Sequence, residues 1–131
     1  MLTEKITYVD YNGLERTETY YFNLTKAEIA EMELSKEGGL TEYMQKLVDS
    51  KDAGTILDIF KKILLKSYGI KSEDGRRFIK SDEISKEFSE TPAYSELYMR
   101  LAFDGKAAAE FIRGIVPEDV RRKMDEQRNK E

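Results

Sequence analysis

The chain has neither cysteine nor histidine. Without thiols there is no disulfide framework, no thiolate nucleophile and no zinc–thiolate site, and the composition suits a reducing compartment. Without imidazole, the usual transition-metal ligand and the commonest general base near neutral pH are missing as well. No run of about eighteen apolar residues occurs, and the start, MLTEKITYVDY, lacks the basic and then apolar layout of a secretory signal. The expectation is a protein that stays in the cytoplasm and does not enter a membrane.

What is present is charge of both signs. Charged residues make up 37% of the 131 residues, yet the net charge is only −4, which bears on solubility rather than on fold. Basic residues outnumber acidic ones only in the middle, residues 51–80. That excess is too weak for nucleic acid and suits self-association or a charged protein partner. The length fits a single domain, residues 1–131, with a genuine core.

Two β-prone runs, residues 5–11 (KITYVDY) and 15–22 (ERTETYYF), flank Asn12-Gly13, which predicts a hairpin with a tight two-residue turn. Pairing Tyr11 with Leu14 puts Val9, Tyr11, Leu14 and Tyr20 on one face and Ile6, Tyr8 and Tyr21 on the other. Both faces are then partly apolar, so the ribbon, residues 1–23, must pack on helices, a partner or copies of itself.

From Asn23 the period becomes helical. Thr25 with Glu28 forms a capping box for a helix over about 26–34. Gly38-Gly39 breaks the chain, and Thr41 can cap a helix over about 42–50. Asp52 or Thr55 caps the strongest helical signal, TILDIFKKILLKSYG, whose wide apolar stripe marks the central helix. Gly69 is expected to end it as a left-handed cap. Residues 70–80 read as a small second hairpin or a structured loop around Gly75. Ser81 or Asp82 starts the next helix, Thr91-Pro92 another, and residues 104–114 one more, stopped by Gly114. The helical body is residues 24–116. Residues 117–131 offer only Val120 and Met124 as apolar positions, which predicts a helix that projects or frays. The fold class is α+β, mostly helical: an N-terminal hairpin followed by a bundle of five to seven short helices.

No catalytic constellation stands out. Asp10 and Glu15 flank the hairpin turn as a possible carboxylate pair, but a two-stranded ribbon supplies no pocket. Asp82, Glu83, Glu87 and Glu90 read as a solvated helix face, with no metal-binding register. Serines lack a base to activate them, and no cofactor motif occurs. Arg76 and Arg77 beside the Gly75 turn read as surface residues paired with Glu73 or Asp82, and as a docking candidate. Tyr8, Tyr11, Tyr20, Tyr21 and Phe22 crowd the hairpin, where acidic neighbours disfavour nucleic acid and favour protein contact. With Arg76, Arg77, Val120 and Met124 they form the candidate partner-binding set.

Three blocks, ITYVDYNGLERTETYYFNLTKAEIAEMELS, LKSYGIKSEDGRRFIKS and FSETPAYSELYMRLA, resemble in order and wording the tail assembly chaperones of long-tailed phages and prophages of Gram-positive bacteria. The resemblance covers about residues 4–117. It implies a non-enzymatic protein of the infected host cell. Such a protein holds the tape-measure protein while tail-tube subunits polymerise around it, self-associates, and is absent from the finished virion. It transfers no catalytic or binding residues by position. The competing readings are a structural tail or connector component and a small carboxylate- or metal-dependent enzyme.

Overall fold

The computed structural model describes residues 1–34, 39–49 and 52–129. Strand β1 (Leu2–Val9) runs antiparallel to β2 (Glu15–Phe22), with Val9 opposite Glu15 and Leu2 opposite Phe22. Between them Asp10 N–H donates to Leu14 O at 2.8 Å and Gly13 N–H to Asp10 O at 2.9 Å, with Gly13 at φ 84°. The loop therefore holds three residues, Tyr11, Asn12 and Gly13, and the expected pairing of Tyr11 with Leu14 is corrected to Asp10 with Leu14. Asp10 is the cause: its carboxylate accepts from the N–H groups of Asn12 and Leu14 at 2.9 and 3.0 Å and from Arg16 Nε at 2.6 Å.

A shift of one residue exchanges the faces. Leu2, Ile6, Tyr8, Tyr20 and Phe22 share the inner face, whereas Thr3, Lys5, Thr7, Val9, Thr17, Thr19 and Tyr21 share the outer one. Tyr20 and Tyr21 thus lie on the faces opposite to those expected. The outer face is threonine-rich rather than apolar, and Thr7 and Thr17 join their hydroxyls across it at 2.9 Å.

Two short strands extend the sheet in the order β1-β2-β3-β4. β3 (Tyr68–Lys71) pairs with the end of β2, and β4 (Phe78–Ile79) pairs with β3, so the second hairpin forms around a Gly75 turn at φ 74°. Gly69 is not a helix cap. It lies in β3, where an added Cβ would sit 2.7 Å from the Phe78 ring and 3.0 Å from Ile79 O, so close packing against β4 demands glycine there.

Seven helices follow among the described residues: α1 (Lys26–Glu33), α2 (Leu40–Asp49), α3 (Ala53–Ser67), α4 (Asp82–Ser89), α5 (Pro92–Ala102), α6 (Gly105–Ile115) and α7 (Glu118–Asn129). The caps are chemical and local. Thr25 and Glu28 form the capping box of α1, Asp52 caps α3, Ser81 caps α4, Thr91 caps α5 with Pro92 in its first turn, and Asp104 caps α6. Gly114 lies inside α6 and does not end it. The Gly38 break and the Thr41, Met44, Leu47 and Val48 side chains expected on α2 fall outside the described residues.

The core is built where α4, α5 and α6 pack on the sheet, with α3 packed against α4 and α5. Ile59, Phe60, Ile63 and Leu64 of α3 are buried with Ile6, Phe22, Leu97, Phe111 and Ile115. Phe22 touches Tyr68, Phe88 and Phe111, ring centroids 5.3–5.8 Å apart, and Tyr68 stacks on Phe88 at 4.1 Å. The exit from β2 is fastened twice, by Asn23 N–H to Ser67 O and by Leu24 N–H to Ile115 O. Lys80 Nζ adds a bond to Asn23 O and an ion pair to Glu28, both 2.6 Å.

α7 carries more than its two apolar positions. Val120 and Met124 pack partly buried against the core. Arg113 pairs with Asp125 at 2.8 Å, Lys26 with Asp119 at 3.2 Å, and Arg121 Nε donates to Arg113 O at 2.8 Å. Counting apolar residues alone misses these polar ties.

Candidate functional surface

The candidate residues divide by depth. Phe22 is fully buried and Tyr8 nearly so; Tyr8 donates to the Glu18 carboxylate. Tyr20 is half-buried between Phe88 and Tyr68, at 5.3 and 6.3 Å. Burial and the nearby Glu18 carboxylate push its phenol up to about 12. These three support the sheet from inside. Val120 and Met124 likewise rest on the core.

Tyr11 stands at the tip with 85% of its surface exposed, and Val9 on the outer face and Leu14 on the inner one are each more than half exposed. An apolar tip results from the turn itself. The Asp10 carboxylate holds the loop closed, and Arg16 and the Leu14 N–H keep that carboxyl below its ordinary range, so the three side chains are displayed on a fixed frame. Tyr21 is half-buried on the outer face, with Lys71 Nζ 4.8 Å above its ring. It borders a shallow groove formed with Gly69, Ile70 and Lys71.

Arg76 and Arg77 are exposed on the β3–β4 turn. Their backbone N–H groups bond Asp74 Oδ1 and Ser72 Oγ, both at 3.0 Å. Among the described residues neither guanidinium forms an ion pair, so the expected pairing with Glu73 or Asp82 is replaced by backbone anchoring that leaves both cations outward. The sequence-based set omitted Met99 and Phe103, which are 56% and 68% exposed at the end of α5. Their i, i+4 spacing was the available signal.

The acidic candidates are occupied elsewhere. Asp10 serves the turn, and Glu15 points outward opposite Val9. Asp82, Glu83, Glu87 and Glu90 are exposed along α4 and its exit. Among the described residues no three acidic side chains gather as a metal site would require, and no helix is long and apolar enough to cross a membrane. What the geometry offers is exposed side chains: an apolar hairpin tip, an outward pair of arginines and the Met99–Phe103 pair.

No curated protein and no solved structure matches the chain. A family model described as phage tail assembly chaperone matches residues 1–131, and the chain belongs to that family.

Proposed function

We propose that the protein binds the tape-measure protein during tail assembly, helps recruit tail-tube subunits to it, and leaves before the particle is complete. It acts in the cytoplasm of the infected bacterium, by binding and not by catalysis. The observation that carries this reading is the exposed apolar tip of Val9, Tyr11 and Leu14, held rigid by Asp10, in a chain of the tail assembly chaperone family. A chaperone needs apolar surface displayed without unfolding, and large exposed apolar groups set in a polar surround mark protein contact sites. Tyr21, Arg76 and Arg77 extend the contact, and the same tip supports self-association.

Co-expression with the tape-measure protein tests it. A soluble complex is expected, and replacing Tyr11 and Leu14 together by serine abolishes it while the variant keeps its fold. Mass spectrometry of purified particles should find the protein missing. Its presence at stoichiometric level would instead make it a structural tail component.

A further inference from the structure

β1 is an edge strand, paired with β2 on one side only. Along an antiparallel ladder, hydrogen-bonded and non-bonded pairs alternate, and the bond from Asp10 N–H to Leu14 O fixes the phase. Tyr8, Ile6, Glu4 and Leu2 therefore turn their main-chain groups toward β2, and Thr3, Lys5, Thr7 and Val9 turn theirs outward. Among the described residues those outward groups have no hydrogen-bond partner. Four consecutive outward positions form an open template for another strand.

α5 lies over this edge. It packs on β1, with Arg100 reaching Glu4 at 3.3 Å, whereas Phe88 of α4 covers Tyr20 and Tyr68 on β2 and β3. Tyr94 and Tyr98 face Phe88 and Phe60. At 3.6 residues per turn, Glu96 and Arg100 fall on the opposite flank, and Arg100 reaches β1 at Glu4. A strand added to β1 would have Lys5 on its outer side.

A second copy of β1 does not fit. A two-fold axis normal to the sheet would place both α5 helices on the same face. Paired strands lie about 4.8 Å apart, but packed helices need about 8–10 Å between axes. Pairing centred on Lys5 would also oppose two lysines. The occupant must be an extended segment that carries no helix over it. Glu4 and Arg100 neutralise each other, and on the outer face the charge that a new strand meets is Lys5, between Thr3 and Thr7.

We propose that β1 accepts an extended segment of a partner protein as a fifth strand, acidic on the side facing Lys5.

The test uses the full chain and a blocked synthetic peptide of about ten residues that alternates leucine with threonine and carries one aspartate on the threonine side. In amide hydrogen exchange, peptide should slow the amides of Thr3, Lys5, Thr7 and Val9 by about tenfold or more and leave those of Glu4, Ile6 and Tyr8 unchanged. Lys5→Pro removes an outward N–H and no bond to β2, so it should keep its fold and lose peptide binding. Should that variant not fold, Lys5→Glu carries the comparison: it should weaken the aspartate peptide and favour one with lysine in that place. Unchanged exchange up to the peptide's solubility limit, or a Lys5 variant that binds like the wild type, overturns the proposal. Protection that grows with protein concentration alone also overturns it, since the occupant is then a second copy. No tail protein enters the experiment, so its failure leaves the chaperone reading standing, and a failed co-expression leaves the edge proposal standing.

Discussion

The root and the tip of the hairpin are built from the same kinds of residue and have opposite fates. At the root, Ile6 and Phe22 are buried and Leu2 and Tyr20 half-buried, on the face over which α4, α5 and α6 pack. At the tip, Val9, Tyr11 and Leu14 belong to the same two strands and their loop, yet each has more than half its surface in water. Composition does not separate them. Helices reach the root and stop short of the tip. Aromatic content in a ribbon therefore builds a core where a helix lies over it and stays in water where none does.

The largest effect expected from this comparison is at Phe22. Replacing it by alanine removes a fully buried ring that touches three others, which should cost about 3–5 kcal/mol in denaturant unfolding. Tyr11→Ala should change stability by less than about 0.5 kcal/mol. Equal losses at both positions would break the distinction.

Gly69→Ala ranks next, because the added methyl meets the Phe78 ring and a backbone oxygen. A loss of about 1–3 kcal/mol is expected. Gly114→Ala should cost less, since its nearest neighbour, at 2.8 Å, is the flexible end of Leu2. Thr25→Ala, which removes half of a capping box, should cost about 1 kcal/mol, measured the same way.

The smallest effect is the alkaline one. Tyr20 is raised in the folded state from 10.0 to about 12. A raised group stabilises the fold below its unfolded pKa and loses that contribution as pH climbs through the folded value. Stability should therefore fall between about pH 10 and 12, and spectroscopic titration should show Tyr20→Phe removing part of that fall. On the acid side the sign reverses. Burial acts to raise the Glu28 carboxyl, but the Lys80 and Thr25 hydrogen bonds outweigh it, so Glu28 ends below its ordinary value. Its contribution is present above that value and is lost as pH drops through the folded pKa.

Local chemistry was readable in advance. Thr25 with Glu28, Ser81, and Thr91 with Pro92 announced their helices because a cap involves only a few neighbouring residues. The family resemblance, carried by three ordered blocks, is matched by a family model over the whole length. The hairpin register was not readable from Asn12-Gly13 alone. Asp10 at the first position of a type I turn and Gly13 at its fourth was the competing signal, and it prevailed because one carboxylate bonds two N–H groups of the loop. Gly69 was misread because its need for glycine comes from Phe78, nine residues on, and not from the helix it follows. The hold on α7 was missed for a related reason: Arg113 with Asp125 and Arg121 with a carbonyl leave no periodic trace.

The central claim is that the root folds the protein and the tip binds for it. The most direct measurement is co-expression with the tape-measure protein, comparing the wild type with a variant carrying serine at both Tyr11 and Leu14, each checked for its unfolding midpoint. The expected result is a soluble complex with the wild type and none with the variant, at an unchanged midpoint. A variant that retains the complex, or a wild type that forms none, would contradict the account.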